Sequence, residues 1–211
     1  MKAIFASRNK HKAEQVRRVL IGMELVPLDE VAPALELDEP YDSFEGNALA
    51  KARAVVEATG EAAVADDSGL EVDFLDGAPG VHSARYAGAR ATDADNNAKL
   101  VAALRDVSES DRTARYRCVA VLVTPEGKEF VAEGTCEGTI SLEARGELGF
   151  GYDPHFIPRP SPERRETRTM GEIPLDEKLA FNHRGRAFRK LAASLRKEAF
   201  ILDPDESTAQ S

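Results

Sequence analysis

Residues 114 to 140 read as strand, turn and strand: ARYRCVAVLVT, then PEGK, then EFVAEGTCEGTI. Two strands joined by so short a connection form an antiparallel hairpin. The start of the chain runs in a different order. KAIFA (Lys2–Ala6) reads as a short strand, and SRNKHKAEQVRRVL carries Ala13, Val16, Val19 and Leu20 at helical spacing. MELVPL then reads as a second strand. Strand–helix–strand order favours parallel neighbours, and a hairpin does not. A chain that holds both predicts an α/β fold around a mixed sheet.

Local signals place the remaining elements. Ser7 and Asn9 are N-cap types, so the first helix should begin near residue 9 or 10. SFEGNALAKARAVVEATG predicts a helix capped by Ser43 and closed by Gly60 in the left-handed conformation. Thr92 caps another, with Asp95 three residues on. AAVA predicts a strand that ends at Asp66-Asp67. LEVDFL alternates, with Leu70, Val72 and Phe74 on one face, before Asp76-Gly77 turns the chain. GAPGVHSARYAG and GELGFGYDP are glycine-rich loops, DEVAPALELDEPYD an exposed acidic loop, and PRPSPERRETRT a polar, proline-rich connection expected to be mobile. IPLDEKLAFNH starts a helix that RAFRKLAASLRKEAF continues, with Phe188, Leu191, Ala192 and Leu195 on one stripe. Residues 1–200 are expected to form one domain, and 201–211 a disordered tail.

Composition narrows the function classes. Hydrophobic residues are 42% of the 211 and charged residues 31%, enough for a packed core. No apolar run approaches the roughly 20 residues that span a bilayer. The apolar stretch in MKAIFASRNK falls short of the about 7–15 residues of a secretory core. A cytoplasmic protein without membrane association is expected. The net charge is −9 and no long Lys/Arg run is present, which argues against nucleic acid. A phosphate ligand would then need a local basic cluster or a divalent cation. Cys118 and Cys136 fall on adjacent predicted strands, and in a reducing compartment they should be buried thiols.

Five stretches carry candidate chemistry. SRNKHK places Ser7, Asn9, Lys10 and Lys12 at a strand-to-helix junction, where free N–H groups favour an anion. A solvated helix face fits the same residues, and the P-loop pattern is absent. Lys51 lies two turns into an alanine-rich helix, whereas Arg53 reads as exposed. Asp38, Glu39, Asp66 and Asp67 form an acidic set. Asp66 and Asp67 point to opposite faces if extended, so they should do different jobs. Either they decorate a solvated turn, or they serve Mg²⁺, which takes one or two carboxylates plus substrate phosphates. GFGYDP offers close backbone approach, the flat faces of Phe150 and Tyr152, and the acceptor Asp153, which would suit a base or sugar and equally an aromatic-anchored loop. Lys178, His183 and Arg184 lie within seven residues and are followed by Gly185, where a helix break could turn several cations toward one point.

In this order and spacing, SRNKHK, FEGNALAKA, ADDSGLEVDFLDGAPGVHSARYAG, GFGYDP and EKLAFNHRGRA resemble the inosine triphosphate pyrophosphatase family, the Ham1-like XTP/dITP diphosphatases, over about residues 3–197. The resemblance implies an elongated, two-lobed α/β fold with a curved mixed sheet and an active-site cleft between the lobes, commonly a homodimer. It implies Mg²⁺-dependent hydrolysis of ITP, dITP and XTP to the monophosphate and pyrophosphate, which cleanses the nucleotide pool. By position, Ser7, Arg8, Asn9, Lys10, His11 and Lys12 would hold the triphosphate. Asp67 would be catalytic base and metal-linked acid, Ser68 a substrate contact and Glu39 the distal metal ligand, with Asp66 and Lys51 assisting. Phe150, Gly151, Tyr152, Asp153, Lys178, His183 and Arg184 would bind nucleotide and base. Donors such as His183 and Arg184 would face the 6-oxo group of hypoxanthine and reject adenine, whose amino group is a donor.

Two departures stand out. Gly46 precedes Asn47 where the family often has an acid, and Glu45 would face about 100° away on a helix. EPYDS stands where the family often has a glycine, which leaves Asp38 and Glu39 both open as distal ligand, with Glu39 preferred by its distance from Phe44. The alternatives are a Maf-like pyrophosphatase acting on dTTP or UTP, whose early basic motif differs, and a non-catalytic nucleotide-binding protein.

Overall fold

A computed structural model describes residues 1–159 and 167–201. The proline-rich connection and the tail fall largely outside these residues. Six strands form one sheet in the order β2-β1-β3-β4-β5-β6. β1 (Lys2–Phe5) pairs parallel with β2 (Glu24–Pro27) and with β3 (Ala63–Val72). β4 (Thr113–Val123) and β5 (Glu129–Ile140) are sheet neighbours joined through residues 124–128, and β6 (Phe156–Pro158) pairs antiparallel with β5. The mixed sheet and the α/β class are therefore as expected.

The helices follow their local signals. α1 (Lys10–Val19) begins where Asn9 Oδ1 accepts the Lys12 N–H. The four-residue α2 (Leu28–Val31) interrupts the predicted acidic loop. α3 (Phe44–Thr59) is capped by Ser43 and ends at Gly60, φ 70°. α4 (Asp93–Leu104) carries the predicted Thr92–Asp95 capping box. α5 (Leu175–Phe181) and α6 (His183–Lys197) meet at Asn182, whose extended backbone breaks the run. The break thus falls inside the basic group, between Lys178 on α5 and His183-Arg184 on α6, and Gly185 lies inside α6.

Two expectations needed correction, and one element had not been foreseen. β3 runs unbroken through both aspartates and Gly69, so Asp66 and Asp67 lie mid-strand and not at a strand end. The reason is burial: only Ser68 and Glu71 of its ten residues are half-buried, and a turn there would strand backbone groups without partners. The strand also stops at Val72. Asp73–Leu75 form a 3₁₀ turn that leaves Phe74 56% exposed, off the predicted apolar face. Finally, β6 had no signal of its own, because three residues are too few for periodicity.

The chain divides into two compact units. The first comprises residues 1–67, 118–134 and 184–201, the second 68–117, 135–159 and 167–183. In the first, Phe5, Val16, Leu20 and Leu122 pack with the stripe Phe188, Leu191, Ala192 and Leu195, all buried as its spacing required. In the second, Leu70, Leu100, Leu104, Ile140, Phe156 and Met170 form a separate core. Cys118 belongs to the first core and Cys136 to the second, both buried. Among the described residues no helix is long and apolar enough to cross a membrane.

Candidate active site

The first unit holds the acids and most of the cations. β3 projects its two aspartates to opposite sides, as extended backbone must. Asp66 is 1% exposed, and its Oδ2 lies 3.1 Å from Lys12 Nζ and 3.3 Å from both Nε and Nη2 of Arg184. Arg184 Nη1 also donates to Gln15 Oε1 at 3.0 Å. Burial would raise the Asp66 carboxyl, but Lys12 and Arg184 outweigh it and hold the group well below the usual carboxylate range. Its other oxygen, Oδ1, is buried with no hydrogen-bond partner among the described residues. The Cys118 thiol lies 3.8 Å from Oδ2, and burial together with Asp66 pushes its pKa up.

Asp67 meets a different environment. Asn47 Nδ2 donates to its Oδ2 at 3.1 Å, and Lys51 Nζ lies 3.5 Å from its Oδ1. The same ammonium donates to Glu39 Oε1 at 2.8 Å. For Asp67, burial dominates and raises the carboxyl, with Lys51 and Lys12 opposing and Glu39 adding to the rise. Lys51 is raised: burial lowers it, and Asp67, Glu39 and Asp66 more than offset that. Both Lys51 and Asn47 sit on α3, four residues apart and hence on one face.

Asn47 is 0% exposed and its Oδ1 accepts the Tyr41 N–H at 2.9 Å, so one amide ties the loop carrying Glu39 to Asp67. It was missed as a site residue, although a buried amide in an alanine-rich helix is a readable signal. Gly46 has a packing reason. A Cβ there would come 2.8 Å from Ser43 Oγ and 2.8 Å from Tyr41 Cβ. The two departures from the family pattern are thus one: Tyr41 of EPYDS occupies the space that a side chain at 46 would need.

SRNKHK divides its labour. Lys12 turns to Asp66, while Lys10 and His11 are exposed on the first turn of α1. Arg8 bonds Asp29 at 2.7 Å and the carbonyls of Pro33 and Leu35, so it holds the 29–35 stretch. Ser7 Oγ accepts the Asn9 N–H at 3.2 Å. Arg53 is an exposed partner of Glu129, as expected of a surface cation.

The second unit gathers the aromatic and polar set. Asp153 Oδ2 accepts from Lys178 Nζ at 2.9 Å, and its Oδ1 accepts from Tyr116 OH at 3.2 Å. Burial raises the Asp153 carboxyl despite these donors. The Tyr116 ring stacks on His183, centroids 4.7 Å apart, and tilts against Phe156. Tyr152 is buried and donates to the Ser83 carbonyl at 2.8 Å. Phe150 and Gly151 are half-buried beside it, and Ser68 is half-buried on β3. His183 therefore joins Tyr116 in the second unit, whereas Arg184 belongs to the first unit, bonded to Asp66. Nothing local could separate these neighbours. Gly149 (φ 100°) has no room for a side chain, because a Cβ would press on Asp153 Oδ2 and lie 2.6 Å from Lys178 Nζ. Gly149→Ala should cost about 1–3 kcal/mol through overpacking. Thermal melting should show it as a loss of several degrees, with a raised nucleotide KM.

The donor set suits a hard divalent cation. Glu39 and Asp67 reach the same ammonium, so their carboxylates lie close together. No group of three His, Cys, Asp or Glu residues converges among the described residues. Mg²⁺ does not require one, because waters and substrate phosphates complete its shell.

The profile of the Ham1 family matches residues 3–194. The dITP/XTP pyrophosphatase of Desulforamulus reducens is 45% identical over 192 residues, 90% of this chain and 93% of that one. A solved HAM1 protein from Coxiella burnetii matches with TM-score 0.82 and 37% identity over 93% of this chain and 99% of that one. The crystal structure of the nucleoside-triphosphatase, dITP/XTP pyrophosphatase, from Mycobacterium abscessus matches with TM-score 0.72 and 46% identity over 92% and 99%. With its five motifs present and nearly its whole length matched, the chain belongs to the Ham1 family.

Proposed function

We infer that the protein hydrolyses non-standard purine nucleoside triphosphates (ITP, dITP and XTP) to the monophosphate and pyrophosphate, and so removes deaminated purines from the nucleotide pool. The observation that carries this reading is the split of two adjacent buried aspartates: one is neutralised by Lys12 and Arg184, and the other, raised by burial, stands beside Lys51 and Glu39. Relatives named dITP/XTP pyrophosphatase, matched over about nine-tenths of this chain, support the substrate class.

Cleavage between the α and β phosphates needs a deprotonated water and a stabilised leaving group. Asp67 accepts the water's proton, a role typically worth about 10²–10⁴-fold. Asn47 holds the carboxylate in place through Oδ2. Lys51, Lys12 and the N–H groups at the start of α1 offset the charge of the departing pyrophosphate. Glu39 and Asp67 would hold Mg²⁺, which when bound neutralises and orients phosphate oxygens. In the second unit, Asp153, Lys178 and His183 with the Tyr116 and Tyr152 rings supply hydrogen bonds and flat faces for the base. The active form is proposed to be a cytoplasmic homodimer.

Purified protein with Mg²⁺ is expected to release pyrophosphate from ITP and XTP far faster than from GTP, dTTP or UTP. A chelator should abolish turnover, and added Mg²⁺ should restore it. Preference for dTTP or UTP would move the reading to a Maf-like activity, and tight ITP binding without product would leave a nucleotide-binding protein.

A further inference from the structure

We propose that Asp93 and Asn97 of α4 are positioning residues that hold the base-reading loop and thereby set base discrimination. The Gly151 N–H donates to Asp93 Oδ2 at 2.7 Å, and the Gly151 carbonyl accepts from Asn97 Nδ2 at 2.9 Å. Both backbone groups of one residue are thus held by two side chains four residues apart, on one face of a helix. Gly151 has φ 63°, a left-handed conformation, and a Cβ added there would meet nothing within 4 Å. Glycine is therefore needed for its backbone and not for lack of space, and the two side-chain bonds hold that backbone. On either side stand Phe150 and Tyr152, and Asp153 follows, bonded to Lys178.

Asp93 has no other demand on it as a cap. Thr92 and Asp95 already form the capping box of α4. The neighbouring Asn96 does the same work on the other loop: its Oδ1 accepts the Ala87 N–H at 2.8 Å and its Nδ2 donates to the Ala84 carbonyl at 3.2 Å. Tyr152 OH then ties the two loops together through the Ser83 carbonyl. The first turns of α4 are a bracket that registers both loops of the second unit. Asparagine is a poor helix former, so two in succession at 96 and 97 fit this role better than helix stability.

The inference rests on the reading that residues 150–153 meet the base, and the test separates the two. Asp93→Ala, Asn97→Ala and Asp93→Asn are compared with wild type for kcat and KM on ITP and GTP, and for amide hydrogen exchange of residues 149–153. Loss of one charge-assisted bond should raise the KM for ITP about tenfold in Asp93→Ala. Its kcat should change by less than about threefold, and the ITP-to-GTP ratio of kcat/KM should fall. Asp93→Asn keeps an acceptor oxygen and should stay near wild type. Exchange at 149–153 should accelerate in both alanine variants. Unchanged exchange would overturn the clamp, whatever the kinetics. Faster exchange with an unaltered ITP-to-GTP ratio, or with equal losses on both nucleotides, would overturn the role in discrimination. A wild-type protein with no preference for ITP would defeat the functional reading alone, and hydrogen exchange would still decide the clamp.

Discussion

Asp67→Asn should reduce pyrophosphate release from ITP by about 10²–10⁴-fold, the usual contribution of a positioned proton acceptor, while the protein melts at the wild-type temperature or slightly above. The stability half follows from the sign of the shift. The Asp67 pKa is raised on folding, first by burial. Whatever this group adds to stability is present below its unfolded pKa and lost as pH rises through the folded one. At neutral pH the buried charge therefore opposes folding, and the amide removes that opposition while keeping its shape. Glu39 remains as partner to Lys51. Activity lost together with several degrees of melting temperature would assign Asp67 to the scaffold, and near-normal turnover would remove it as the base.

The neighbouring substitution should do the reverse. Asp66→Asn leaves Lys12 and Arg184 facing a neutral group inside the protein. Breaking a buried pair in this way typically costs about 3–5 kcal/mol, and for a domain of this size each kcal/mol shifts melting by about 2–4 °C. A fall of about 6–20 °C is expected. The Asp66 pKa is lowered, against its burial, by Lys12 and Arg184. Its stability contribution is accordingly present above the unfolded pKa and disappears only as pH falls through the depressed folded value. The melting gap between wild type and variant should thus persist through mildly acidic pH and close only in strong acid. A variant within about 2 °C of wild type at neutral pH would show that the Lys12–Asp66–Arg184 contacts add nothing net.

Adjacent acids with opposite effects on stability follow from strand geometry. Extended backbone sends successive side chains to opposite faces, so one strand can supply a structural counter-ion and a base from consecutive positions. A turn would have let both reach water and made neither useful. Aspartate, serine and glycine in sequence are a turn signal, which is why a strand end was expected at 66–67. The four apolar residues before them and Leu70 and Val72 after them are all buried, and that burial overrode the local preference.

Much was legible from spacing alone. The caps at Asn9, Ser43, Thr92 and Gly60 and the α6 stripe rest on contacts within a few residues or on periodicity, and these survive folding unchanged, while the mixed sheet was legible from the order of strands and helices. So do the five motifs, because their chemistry lies in the residue types. What tertiary structure alone decided is partnership across long separations. Arg184 meets Asp66 across 118 positions, Tyr116 meets Asp153 across 37, and α4 meets Gly151 across more than 50. No local pattern encodes such pairs, since each depends on burying two distant polar groups against one another in a low-dielectric interior where neither can remain alone. Residue types along the chain determined what chemistry was available. The packed fold decided which aspartate keeps its charge balanced and which is left able to take a proton.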